Sequence, residues 1–395
     1  MKYDFDKIID RTNTNCYKWD FNKQMFGTEN VIPLWVADMD FSSPEPVVKK
    51  LVERAKHGIY GYSLEPEEFY QSFQNWLEKR LDWKIKKGWI TNAVGIVPAI
   101  NFAIQCFTKP GAKILVQTPV YFPFFESIQN NGRVVVNSQL KLVGNRYEMD
   151  FTDLAAKLKN GVKMMLLCSP HNPVGRVWTK TELQKVAELC VENNVLLISD
   201  EIHADLVLKG SKHIPMGTIN SEIRNNMIAM YAPSKTFNVA GLATSSIVIP
   251  NQEIREKFQD YLKKLGLHLL NLFGIEAYTA VYTGGEDWLE QLLEYLETNY
   301  RFVQDYLARS IPSIKVIELE GTYLMWLDCR ELNLSQKELV DLFVNKAGLG
   351  MNDGAVFGAG GEGFMRLNIG CSRFILEKAL RQMKKAIDDL TPTLS

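Results

Sequence analysis

Val162-Lys163-Met164-Met165-Leu166-Leu167-Cys168 runs straight into Ser169-Pro170-His171-Asn172-Pro173-Val174-Gly175-Arg176. The first part is an apolar run of strand length. A run of this kind, without regular polar alternation, is what a strand buried on both faces of a parallel sheet requires. The second part carries two prolines, which restrict the residues before them and predict an extended, rigid loop. Asn172 is held between those prolines, where its amide can donate a hydrogen bond. Residues 181–193 then have helical spacing, and 195–199 form a second buried strand ending at Asp200-Glu201-Ile202-His203. Strand, helix, strand, with polar residues at the strand ends, predicts an α/β fold built on a doubly wound sheet. Ligands in such sheets bind beyond the carboxyl ends of the strands.

Moving outward, the apolar stretch Met227–Tyr231 leads into Ala232-Pro233-Ser234-Lys235-Thr236-Phe237-Asn238. A lysine in a loop is ordinarily a surface residue. Here Asn172, Asp200 and Lys235 all fall just past three successive strands, which sets this lysine apart. Burial at a strand end disfavours the ammonium and lowers its pKa. A neutral amine is the form that condenses with an aldehyde cofactor. Upstream, a short strand at 89–91 passes through Asn92-Ala93-Val94-Gly95-Ile96-Val97-Pro98 into a helix reaching Phe107. Free N–H groups of Gly95, Ile96 and Val97, aided by the helix dipole, make an anion site there. Pro98 suits a first helical turn. Tyr121 follows the strand at 112–117, where its ring can cover a planar ligand or simply join the core.

The flanks are read more coarsely. Residues 1–45 form an arm without strong periodicity, ending in an apolar stretch with Trp35, Ala37, Asp38 and Asp40. Two acids beside a tryptophan are costly to bury unless paired. The stretch either packs on the body or walls a substrate pocket. Helical spacing appears at 44–57 and 66–81, separated by a turn, Tyr60-Gly61-Tyr62, that exposes two phenols. After residue 249 the pattern becomes α+β, with long helices at 253–272 and 288–310, strands at 314–319 and 322–327, and helices at 335–347 and 374–390. A boundary falls near Gly284-Gly285. The organisation is an arm of 1–45 packing with the small domain, a large domain of 46–285 and a small domain of 286–395. The glycine-rich stretch 354–363 leads into an alternating strand carrying Arg366, whose planar fork suits a carboxylate.

The 395 residues suffice for two domains with a sizeable core. With 45 basic and 46 acidic residues, no electrostatic case for nucleic acid arises. No apolar run approaches the ~20 residues needed to span a bilayer. The six cysteines form no C-x-x-C pair, so neither a metal site nor a disulfide framework is expected. Thiols within apolar runs fit a reducing cytoplasm, and the acidic start does not read as a signal peptide.

Lys235 for an aldehyde, Asp200 for a pyridine nitrogen, the 95–97 turn for a phosphate, Tyr121 for stacking and Arg366 for an amino-acid carboxylate form one set. With Asn172-Pro173 and Gly175, Asp200 with His203, and Ser234-Lys235, the chain resembles pyridoxal-phosphate enzymes of the aspartate-aminotransferase fold, type I, class II. The resemblance covers nearly the whole chain. The stretches 33–41, 171–178 and 364–368 resemble the cystathionine β-lyase and cysteine C–S lyase group. The resemblance implies pyridoxal 5'-phosphate as cofactor, with Lys235, Asp200, Asn172, Tyr121, His203, Ser234, Gly95, Ile96 and Val97 around it. It implies Arg366, Trp35, Ala37 and Asn172 at the substrate. It implies catalysis by Lys235, Tyr121 and Asp200, and a homodimer in which Tyr62 reaches the phosphate of the other subunit. The implied reaction is α,β-elimination of L-cystathionine or other cysteine S-conjugates. An aminotransferase would share every cofactor residue and remains the alternative, and a regulatory role in binding a transcription factor is a further one. Ala232 and Ala243 stand where many transaminases have a phosphate-binding serine and arginine, and His203 stands where they have tyrosine.

Overall fold

The computed structural model describes residues 3–267 and 269–390. Its central sheet has seven strands, β1 (Ile90–Ala93), β2 (Lys113–Val116), β3 (Val134–Asn137), β4 (Val162–Cys168), β5 (Leu196–Asp200), β6 (Met227–Tyr231) and β7 (Ser245–Val248), in the order β1-β7-β6-β5-β4-β2-β3. Strands β2 to β6 pair in parallel, and β7 runs antiparallel to both of its neighbours. The apolar run in β4 follows from its position. Met164, Leu166 and Cys168 enter one apolar layer, with the helix Ile96–Phe107, while Met165 and Leu167 enter the layer on the opposite face. Both faces are covered from Met164 onward, and only Lys163, near the strand's start, is exposed. Register then matters for the site: Cys168 lies opposite Asp200, and Asp200 opposite Met230. The carboxyl ends of β4, β5 and β6 therefore stop in step.

The loop after β4 differs from the extended form predicted for it. Residues 171–176 fold back, with His171 N–H donating to Arg176 O (2.8 Å) and Gly175 N–H to His171 O (2.8 Å), and both X–Pro bonds are cis. The long helix predicted at 253–272 stops short, and a further helix follows it. One helix runs Gln252–Lys264, and a second, Leu272–Gly284, starts at Asn271, whose side chain accepts from Gly274 N–H. Gly266 at φ +72° turns the chain after the first. The second helix buries Ile275, Ala277, Tyr278, Thr279, Val281 and Tyr282. Its other face, with Leu272, Phe273 and Ala280, is apolar too though only half-buried, which erases the periodicity by which a surface helix is recognised.

A second, antiparallel sheet comprises β8 (Lys315–Val316), β9 (Leu324–Asp328), β10 (Asn352–Asp353) and β11 (Phe364–Asn368), in the order β8-β9-β11-β10. Arg366 on β11 lies between Trp326 and Asn352. Before β11, a Cβ on Gly354 would fall 2.2 Å from the carbonyl oxygen of Gly361, so this turn closes only on glycine.

The N-terminal arm joins this sheet. Ile32–Pro33 pairs in parallel with Leu349–Gly350, and Asn368 N–H donates to Leu34 O at 3.0 Å. The pairing that the buried acids require is present. Asp40 accepts from Lys18 (2.8 Å), Arg11 (2.7 Å) and the Trp19 indole (3.0 Å), and Arg11 also forks onto Asp38. Lys18 has no exposed surface at all. Among the described residues no helix is long and apolar enough to cross a membrane.

Arg176 ties the two sheets together. Its fully buried guanidinium donates to Glu320 (2.8 Å), to both oxygens of Glu182 (3.0 and 3.1 Å) and to the Tyr147 carbonyl. Removing one member of a buried ion pair strands the rest and costs about 3–5 kcal/mol. Arg176→Met should lower stability by that amount, read from denaturant unfolding, far more than an exposed-pair change such as Lys384→Met.

Candidate active site

Strand register delivers three side chains to one place. Asn172 follows β4, Asp200 ends β5, and Lys235 lies on the short helix Pro233–Thr236 beyond β6. All three border a cavity of about 200 Å³, with Gly95, Ile96, Val97, Tyr121, His203, Ser234 and Ala37. Lys235 and Tyr121 also border an adjoining chamber of about 620 Å³ whose walls include Trp35, Phe122, Phe125, Asn352 and Arg366. Of the residues singled out in the sequence, only Tyr62 lies apart. It is 98% exposed and contributes nothing to the cavity of its own chain.

Lys235 opens onto the cavity but is shielded from bulk water, and burial pushes its pKa down to about 8. Asp38 and Asp200 pull in the other direction, and Arg366 reinforces the fall. Its Nζ donates to the Ala37 carbonyl at 2.7 Å. Asp200 is 4% exposed, and burial pushes its pKa up to about 7. Its hydrogen bond from Ile202 N–H is long, at 3.2 Å. A buried acid served so thinly suits a cationic partner, which would draw it back to carboxylate. The next residue, Glu201, is fully engaged with His213, Tyr231, Ser199 and Met216 N–H, which fixes the backbone at the end of β5.

Arg366 is buried, and its pKa falls to about 10 by desolvation. It donates to Asn172 Oδ1 (2.9 Å), Trp35 O (2.7 Å) and Asn352 Oδ1 (2.6 Å), while Nε is buried without a partner. Its hydrogen-bond acceptors are neutral, and none of the described acids pairs with it. A desolvated cation held by neutral acceptors awaits an anion. Because Arg366 takes Asn172 Oδ1, the amide nitrogen of Asn172 is left as a donor on the cavity side. His203 is neutral, its pKa pushed down to about 3 by burial, and its Nδ1 is unpartnered. Burial raises the Tyr121 phenol to about 12, so it stays protonated.

At the opposite end, helix Ile96–Phe107 begins at Gly95 with no side-chain cap, leaving its first amides free beside the cavity. Ala232 and Ala243 also border the cavity, so methyl groups stand where a hydroxyl and a guanidinium were noted as missing. Thr244 borders it as well. Sequence reasoning passed over Thr244, Asn352, Asn368 and Tyr323. Asn368 was within reach: in the alternating strand it shares a face with Arg366, and its amide holds the carbonyls of Val36 and Asp38. Trp35 contributes its carbonyl to Arg366 and its ring to the chamber wall.

A sheet with its strand ends in step around a buried lysine and acid, with an uncapped helix at one end and an unpaired arginine at the other, defines a site for a planar, phosphorylated cofactor and an amino acid. The chain belongs to the aminotransferase class I and II family, whose model matches residues 29–383. Cystathionine beta-lyase PatB of Bacillus subtilis is 40% identical over 97% of this chain and 99% of its own length. Cystalysin from Treponema denticola, solved with a pyridoxal 5'-phosphate cofactor, superposes with a TM-score of 0.96 at 36% identity, over 99% of this chain and all of that one. The pyridoxal-phosphate-bound C-S lyase from Staphylococcus hominis gives 0.91 at 32% identity, over 98% of each chain.

The raised pKa of Asp200 has a consequence for the ligand-free chain. The native state keeps a proton that the unfolded chain releases above about pH 4, so this group's stabilisation is lost as pH rises towards 7. The full loss is about 4 kcal/mol. Asp200→Asn should therefore melt close to the parent at about pH 4 and several degrees above it at about pH 8. Parallel melting curves at both pH values would contradict the assignment.

Proposed function

We propose that the chain is a pyridoxal 5'-phosphate-dependent carbon–sulfur β-lyase. It acts on L-cystathionine or related cysteine S-conjugates, with water, to give a thiol, pyruvate and ammonia. The observation that carries this reading is Lys235. Its amine has a pKa of about 8 and shares one cavity with Asp200, next to an unpaired buried arginine. Likeness over full length to lyases of this class supports the choice over transamination.

In this reading the cofactor, when bound, supplies an aldehyde for amines and a ring that accepts the electron pair left at Cα. Lys235 would hold the cofactor through its amine. Asp200 would hold the ring nitrogen and favour its protonated form. The amide of Asn172 would donate to the phenolic oxygen, His203 and Tyr121 would bound the ring, and the 95–97 amides with Ser234 would take the phosphate. Arg366, held by Asn172, Trp35 O and Asn352, grips the substrate α-carboxylate and so orients the Cα–H bond. Lys235 Nζ then takes the Cα proton as general base. The leaving sulfur needs a proton from an acid of comparable strength. A thiol's ordinary pKa is about 8.5. Lys235, at about 8, matches it, whereas Tyr121, at about 12, does not. We assign the proton on the thiol to Lys235 and leave Tyr121 to cover the ring.

We take the working unit to be a cytoplasmic homodimer with a large domain of 46–285, a small domain of 286–395 and an arm of 1–45. Val48, Val52, Ile59, Tyr60, Tyr62 and Leu64 expose a run of apolar surface on one stretch. A second copy would cover it and place Tyr62 at the other phosphate site. Six free cysteines fit a reducing compartment.

The purified holoenzyme should release pyruvate and thiol from L-cystathionine with no keto acid added, and Lys235→Ala should release none. Turnover that depends on a keto acid, without pyruvate, would instead indicate an aminotransferase. Arg366→Ala should lose roughly hundredfold in kcat/KM, mostly through KM, while keeping the cofactor's visible absorbance.

A further inference from the structure

The carbonyl oxygen of Ala37 accepts two hydrogen bonds. Lys235 Nζ donates to it at 2.7 Å, and the Tyr323 hydroxyl at 2.8 Å. Tyr323 sits just before β9, has no exposed surface, and packs edge-on against His203. Burial holds its phenol well above the ordinary value, so it stays protonated and can only donate here. The acceptor cannot swing away. Asn368 Nδ2 holds the carbonyl on each side of it, Val36 O at 2.6 Å and Asp38 O at 2.7 Å, and Asn238 holds Met39 from both its N–H and its C=O.

We propose that Tyr323 is a positioning residue for Lys235, occupying one lone pair of the Ala37 carbonyl and thereby setting how strongly that oxygen holds the free lysine. The inference rests on Lys235 being the reactive amine of the proposed lyase. A carbonyl that already accepts a hydroxyl proton is a weaker acceptor for an ammonium. The lysine is then held in place without being locked in its charged form. That balance suits a group that must take a proton at one stage and release it at another. Other groups facing Lys235 are Asp38, Asp200, Arg366, Tyr121 and His203; removing only the Tyr323 hydroxyl retains all of these side chains, although Asp38, Arg366 and Tyr121 also interact with Tyr323.

Tyr323→Phe removes one oxygen from a closely packed ring. In the full-length chain freed of cofactor, competitive acetylation of Lys235 from about pH 6 to pH 10, read by peptide mass spectrometry, reports the amine's apparent pKa. It should rise by about half to one unit, a threefold to tenfold loss of free amine near neutrality. In the holoenzyme the acid limb of kcat should move up by a similar amount, with KM changed less than about twofold. Tyr323→Leu, which also removes the ring, should show the same pH shift with a larger loss of thermal stability, separating the hydroxyl from packing. An unchanged or lowered lysine pKa in these folded variants would overturn the inference. Because acetylation needs no turnover, it stands apart from the lyase reading, which fails only if the parent enzyme releases no pyruvate.

Discussion

Arg366 is a cation removed from water and given only neutral company. Such a group is tolerated when its donors are placed on acceptors that other forces hold still. Each acceptor belongs to a different part of the molecule: Asn172 to the loop after β4, Asn352 to the neighbouring strand of the small sheet, and Trp35 to the N-terminal arm. The guanidinium is thus a junction where central sheet, small sheet and arm must all be correct. Its Nε has no partner, and among the described residues no carboxylate pairs with it.

The same economy governs the rest of the cavity. Lys235, Asp200 and His203 each have their charged form disfavoured by burial, and each is arranged so that a missing partner would restore the balance. The neighbouring polar groups are handled differently. Glu201 is bonded on both oxygens, and Lys18 sits in a network with Asp38 and Asp40. At the site Arg366 Nε and His203 Nδ1 lack partners, while the bonded Glu201 and Lys18 form a rigid frame beside these reactive groups.

Legibility in the sequence followed the range of the interactions. Asn172, Asp200 and Lys235 could be found because each follows a local apolar run, and the parallel register does the rest. The lysine's lowered pKa could also be anticipated, since a strand end in a doubly wound sheet is dry. The acceptors on the arm could not, because a backbone carbonyl has no sequence signature: Ala37 and Trp35 were visible as residues, but their C=O groups, which hold Lys235 and Arg366, were not. Tyr323 and Asn352 reach the site through packing and register in the antiparallel sheet. The helix Leu272–Gly284 was missed because its half-buried face is apolar as well as its buried one, and the loop at 169–176 because proline fixes local angles without fixing the direction in which the chain leaves.

The hydrogen bond between the Trp35 carbonyl and Arg366 spans 331 residues of chain. On a ribosome, the arm emerges long before β11. Until then the arm has neither Leu349–Gly350 to pair with nor Arg366 to cap. The large sheet can condense beforehand from its consecutive strand–helix units, but the chamber beside Lys235 closes only once the arm and β11 have met. A chain that has not yet reached β11 thus carries Lys235 and Asp200 without the walls that Trp35 and Arg366 contribute to the adjoining chamber.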